Sequence, residues 1–304
     1  MTNETQEDAE DFGRAIGTAW HDHGDDARGV ATRLPRLQTL ARDEPQLERL
    51  IALARHLYGP HLAAWSAGAA AVAAIAAHPA YRAQGTSGAA LRRAQASLAL
   101  SDGRATDGFD ASDAIRVHAM AAENLAEHDA VRAGAFLRQA LALAERTPLP
   151  NDDPSHLALA ATGNSLACTL EEKAQRSADE RALMILSAQT ARHHWERAGT
   201  WLEVERAEYR LAKTWLQAGD VGQARMHAQR CLEIVGANRG AALERFFGWE
   251  ALGIIDCAAG RTSDHASALN HARVEFAALS PDDQSWCKAS LDALEAALTS
   301  PAPD

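Results

Sequence analysis

Arg206 and Arg210 stand four residues apart, so on a helix their guanidinium groups share one face. Two such forks can hold a carboxylate through charge-assisted hydrogen bonds. Competing partners lie on the same stretch, because Glu203, Glu205 or Glu208 could pair with them on a solvated helix face. The 13 histidines raise metal chemistry. His21 and His23 form a short H-D-H pair, which His56 and His61, or His193 and His194, could join in space. Yet no H-E-x-x-H or comparable helix pair occurs, and adjacent histidines point to different helix faces. No metal site and no cofactor are therefore expected, and most histidines read as surface or inter-helix polar groups. Paired acids, Glu171 and Glu172, Glu203 and Glu205, Asp282 and Asp283, could serve acid–base catalysis if a cleft held them. In so acidic a chain they read as solvated faces or helix N-terminal charge. No nucleophile elbow, P-loop or Rossmann glycine set is present, so a non-enzyme is expected.

The elements that must position these residues are helices. Hydrophobic residues make up 47% of the 304 and aromatics only 5%, with alanine filling much of the apolar share. Alanine is the strongest helix former, and no alternating strand pattern is found. The class expected is all-α. A formal net charge of −11 without a basic cluster argues against nucleic-acid and anionic-membrane surfaces. The longest apolar run, 62–77, is too short and alanine-rich to span a bilayer. The first residues are acidic where a secretory signal is basic and then apolar, so a cytoplasmic protein is expected. Cys168, Cys231, Cys257 and Cys287 are far apart, which predicts reduced, mostly buried thiols.

Local punctuation sets the helix ends. Ser177 and Glu180, like Thr200 and Glu203, have capping-box spacing. Asp153-Pro154 and Ser280-Pro281 each place a cap before a proline at the first helical position, while Gly236 and Gly260 mark stops. These signals predict helices over 155–174, 178–198, 201–218, 221–235, 240–259, 263–279 and 282–299, preceded by a pair over 112–127 and 130–146 capped by Asp110 or Ser112. In the N-terminal third, Phe12, Ile16 and Trp20 predict one amphipathic helix. Further helices are expected over 26–34 and 36–42, broken at Pro35, and over 45–58, 61–77 and 87–100. The organisation expected is an N-terminal helical portion over 1–100, a Gly- and Asp-rich loop over 101–111, helical repeats over 112–299 and a tail over 300–304.

Leu211-Ala212, Trp215, Gly219-Asp220, Ala224, Ala228 and Leu232 fall at the spacings of a tetratricopeptide (TPR) unit, and the stretch resembles that family over about one repeat. Glu208 stands where the family usually carries tryptophan, and Cys231 where it usually carries alanine. A shift of 41 residues places Leu252-Gly253 on Leu211-Ala212 and Ala259-Gly260 on Ala218-Gly219. The next helix carries Ala266, Leu269, Ala272 and Phe276 on one face. A weaker copy holds Ala121, Asp129, Leu137 and Ala140-Leu141, and Gly163 occupies the small close-packing position of the pair 155–198. The segment 155–299 also looks like a group of bacterial TPR proteins, which implies the fold and no activity. The resemblance implies a right-handed α-solenoid of stacked antiparallel helix pairs, preceded by the irregular N-terminal helices.

TPR arrays present the first helix of each pair along a concave groove. By resemblance, Arg206 and Arg210 match the basic positions with which chaperone-binding members hold a peptide's C-terminal carboxylate, and Asn164 matches an asparagine of that clamp. Ala160 stands where the clamp carries a lysine and Ala161 where it carries a second asparagine. Trp195 and Trp201 flank the turn E-R-A-G-T and supply aromatic anchors beside the arginines, or else inter-repeat core. The expected partner is a protein or peptide, not nucleic acid or membrane, bound without catalysis by an adaptor or scaffold. A sensor domain for a signalling peptide or small ligand, and a metal-dependent enzyme using the N-terminal histidines, are the alternatives. Self-association through apolar end faces is compatible with such arrays, although the helix over 282–299 reads as a cap, with Leu291, Leu294 and Leu298 inward and Asp292, Glu295 and Ser300 outward.

Overall fold

The computed structural model describes residues 2–297, with side chains from residue 11 onward. Among them every regular element is helical: fourteen α-helices, one π-helical turn and one 3₁₀ turn. The protein is all-α. None of these helices is long and apolar enough to cross a membrane. The chain divides into two compact units between Pro150 and Asn151. The loop over 101–111 and the helix pair that follows it therefore belong to the first unit.

The first unit contains α1 (Thr2–Asp22), α2 (Ala27–Leu40), α3 (Glu44–His56), a π turn (Leu57–His61), α4 (Trp65–Ala74) with a 3₁₀ turn (Ile75–Ala77), α5 (Thr86–Ser101), α6 (Ala111–Leu125) and α7 (Ala130–Arg146). Four starts share one device. The carboxylates of Asp26, Asp43, Asp110 and Asp129 accept the backbone N–H three residues on. This satisfies donors a helix end leaves orphaned, typically for about 1 kcal/mol each. Phe12 and Ile16 are buried against Val30, Leu34, Leu37, Leu47 and Leu50, and Trp20 packs at the edge of that core.

Two expectations fail here. The break at Pro35 does not occur, because α2 runs through it. Burial of Val30, Leu34 and Leu37 on both sides of the proline offsets its cost of roughly 3 kcal/mol. Nor are 45–58 and 61–77 simple helices: α3 passes directly into the π turn, and α4 begins only at Trp65.

The second unit contains α8 (Pro154–Glu171), α9 (Ala178–Ala198), α10 (Trp201–Ala218), α11 (Val221–Asn238), α12 (Ala242–Ala258), α13 (Thr262–Ala277) and α14 (Pro281–Ala297). Both capping boxes form, Ser177 with Glu180 and Thr200 with Glu203. Asp153 and Ser280 cap α8 and α14 as expected. Helix α10 ends at Gly219, with φ +87°, a left-handed conformation that glycine adopts without a Cβ penalty. There Gly219 N–H donates to Leu216 O and Asp220 N–H to Trp215 O. The end of α12 repeats this 41 residues later, with Gly260 N–H on Cys257 O and Arg261 N–H on Asp256 O. The expected stop at Gly236 is displaced: α11 continues to Asn238, and Arg239 takes the left-handed cap with φ +52°. Gly236 meets no steric demand for glycine.

Helices α8 and α9, α10 and α11, and α12 and α13 pack as antiparallel neighbours, and α8, α10, α12 and α14 also touch in succession. Small residues permit the close approaches. A Cβ on Gly163 would lie 2.5 Å from Ser187 O on α9, so only glycine fits there. Successive small cores fill the gaps, one around Ala212, Ala224, Ala228, Leu252 and Ile255, the next around Phe246, Leu269, Leu291 and Leu294. Leu298 and Ser300, read as part of the terminal cap, lie outside the described residues. All four cysteines are free thiols, Cys231 and Cys287 buried and the others half-buried.

Candidate functional site

A cavity of about 530 Å³ opens in the second unit. Its floor and walls come from alternate helices: Asn164 from α8, Arg206, Tyr209 and Arg210 from α10, Leu243 and Phe247 from α12, and Trp286 from α14, with Trp195 of α9 at one side. Four of the five residues singled out in the sequence thus share one wall. The fifth, Trp201, does not: its ring lies over Gly240, where an added Cβ would be 3.1 Å away. It fills the junction between α10 and the start of α12.

The arginines point into the cavity but are not paired along their own helix. Arg210 bonds Glu171 of α8, which also accepts from Thr214. Arg206 reaches Glu244 of α12 at 3.2 Å. The acids of α10 are engaged elsewhere: Glu203 in its capping box, Glu208 with Arg192 at 2.5 Å and His227 at 2.6 Å. The two arginines differ in freedom. Arg206 keeps 60% of its side chain exposed, whereas Arg210 is mostly covered and faces a nearly buried carboxylate. Arg206 is thus the more exposed cation of the cavity, and Arg210 ties α10 to α8.

Glu205 is the unexpected member. It is 2% exposed and accepts a hydrogen bond from the Cys231 thiol at 2.6 Å. Burial pushes its carboxyl up to about 7, and nearby Glu244 adds to the rise against the opposing Cys231 bond and Arg206 charge. Burial likewise pushes the Cys231 thiol far up, so it remains a neutral donor. The cavity is therefore lined by an acid held well above the usual carboxylate range.

Three aromatic rings also line the cavity. Tyr209 packs edge-on against Phe247 with centroids 5.6 Å apart, and Phe247 against Trp286 at 5.3 Å. The Tyr209 hydroxyl donates to buried Glu250 at 3.1 Å, which orients the ring. Trp286 is 66% exposed, an uncommon cost for so large an apolar side chain. Residue type alone did not reveal this run, but its spacing carried a signal. Positions 209, 247 and 286 recur at almost the helix-pair period, which puts them on successive first helices. Of the other residues named in the sequence, Ala160 is buried, Asp283 accepts from the Ser280 hydroxyl that caps α14, and His194 is buried beside His156 with ring nitrogens 3.0 Å apart. His23, His56 and His61 converge in the first unit, while His21 is exposed and outside that group.

Set against family models, curated proteins and solved structures, the chain matches none of them.

Proposed function

We propose that the second unit is a TPR-like, right-handed stack of helix pairs whose groove binds a segment of another protein without catalysis, as an adaptor or scaffold in a bacterial cytosol. The wall drawn from α8, α10, α12 and α14, the first helix of each pair and a fourth helix closing the stack, carries this reading. The repeated cap at Gly219 and Gly260 and the close approach at Gly163 support it. Arg206 holds a carboxylate of the segment, Asn164 offers an amide beside it, and the Tyr209–Phe247–Trp286 wall takes an adjacent bulky apolar side chain. Tryptophan and arginine in such a setting are the residue types that dominate binding energy.

An immobilised library of peptides with free and amidated C-termini tests the reading. The purified protein should retain peptides pairing a large apolar residue with a carboxylate. Arg206→Ala and Trp286→Ala should each weaken binding by about tenfold or more, since hot-spot truncations cost roughly 2 kcal/mol. Retention of no peptide, or equal retention by the protein and the double variant, overturns it.

A further inference from the structure

The first unit holds a second constellation, which does not depend on the groove. His23 lies in the turn after α1, and its Nδ1 donates to Trp20 O at 2.5 Å. A carbonyl only accepts, so Nδ1 carries the proton and the neutral ring presents a bare Nε2. His56 closes α3, and its Nδ1 faces the Glu123 carboxylate at 3.9 Å. His61 closes the π turn. The Nε2 of His56 lies 3.1 Å from that of His23 and 3.1 Å from that of His61. A tetrahedral ion with bonds of 2.0–2.1 Å would hold its nitrogens about 3.3 Å apart. A proton on His56 Nε2 satisfies only one of these two contacts, whereas a shared cation satisfies all three nitrogens at once.

The backbone is shaped to make this convergence. Five residues separate His56 from His61, which on an α-helix puts side chains about 140° apart. The π turn brings them onto one face. Its signature bond runs from Leu62 N–H to Leu57 O at 2.9 Å. Pro60 contributes by lacking the N–H that would otherwise bond His56 O in an α-helix. The turn exits through Ala63 at φ +47°, a left-handed conformation costly for a residue with a Cβ. It is pinned from α6: a Cβ on Gly59 would lie 2.1 Å from Asn124 Oδ1. Asn124 is fully buried, accepts from Arg55 at 3.0 Å and donates to Ser101 at 3.1 Å. Arg55 also grips Glu123 at 2.8 Å. Trp20 packs on both His23 and His56, with ring centroids 5.3 and 5.1 Å away.

We propose that His23, His56 and His61 bind one zinc ion through their Nε2 atoms, with Trp20 O and Glu123 orienting the first two rings. Three imidazoles suit zinc, and exposed His61 leaves the fourth position open to water. The carbonyl and carboxylate behind the rings are the outer partners that metal-bound histidines require.

The test uses the full, tag-free chain, stripped with chelator and titrated with zinc against a chromophoric competitor. Bound metal is counted by mass spectrometry after dialysis. One zinc per chain is expected. His61→Ala, at an exposed position that leaves the core intact, should weaken binding by about 100-fold or more, judged against the 10–100-fold effects of outer-shell changes. His118→Ala, outside the cluster, should bind as the parent does. Cobalt in place of zinc should give the intense visible bands of a tetrahedral site, lost in His23→Ala. Zinc at well below one equivalent in the parent chain, or equal affinity in His61→Ala and the parent, overturns the proposal.

Discussion

Replacing Glu205 by glutamine tests whether the groove floor is truly withdrawn from water. The folded carboxyl titrates at about 7 against an ordinary value of 4.5. Between those values the folded chain keeps a proton that the unfolded chain has released. The contribution of Glu205 to stability then falls as pH rises, by up to about 1.4 kcal/mol per pH unit, and levels off above 7. Over the whole interval the loss is about 3 kcal/mol. Glutamine has nearly the same shape, accepts from the Cys231 thiol and does not titrate. Urea unfolding at pH 5.0 and 8.5 gives the comparison. Tryptophan fluorescence reports the second unit well, because five of the seven tryptophans, Trp195, Trp201, Trp215, Trp249 and Trp286, lie there. The stability difference between Glu205→Gln and the parent should shift by about 3 kcal/mol in favour of glutamine from the lower to the higher pH. A shift under about 1 kcal/mol would mean that water reaches Glu205 and that the floor is not desolvated.

Three further outcomes follow from the helix contacts. Gly163→Ala should cost about 2 kcal/mol in the same unfolding assay, because its Cβ would meet the α9 backbone at Ser187 O and Ala191 N, which cannot rotate away; an unchanged midpoint would refute the close approach of α8 and α9. Arg210→Ala should cost about 3 kcal/mol by leaving Glu171 covered and without its cation. Arg206→Ala should cost less, since Arg206 itself stays 60% exposed and water screens its side of the pair, although Glu244 is as covered as Glu171. Equal losses for the two arginines would contradict their difference in burial.

Much of the helical frame was legible along the chain because its determinants are local. A hydroxyl three residues before a glutamate, as at Thr200 and Glu203, satisfies the orphaned donors of a helix start whatever surrounds it. A glycine free to take positive φ, as at Gly219 and Gly260, ends a helix for equally local reasons. That Asn164, Trp195, Arg206 and Arg210 line one cavity follows from how α8, α9 and α10 pack. Other features were hidden because they depend on what a neighbouring helix brings. Arg206 and Arg210 had several acids within one turn, and only the packing of α8 and α12 selects Glu171 and Glu244 instead. Trp201 flanks the same turn as Trp195 and read equally as an anchor or as core, and the bare backbone at Gly240 is what seats it in a junction. Pro35 reads locally as a break, but burial on both its sides overrides that preference.

The histidines mark the division most clearly. Sequence alone established that they were numerous and that no helical ligand pair was present, because the i, i+4 rule presumes an α-helix. Tertiary structure decided that His23, His56 and His61 meet, because a π turn forced at Pro60 and pinned by Asn124 changes the angle between side chains five residues apart. Helix ends obey bonds made within a few residues, so they can be read from the chain. Pairings, burial and convergence are set by surfaces from distant segments, and those exist only after the helices have packed.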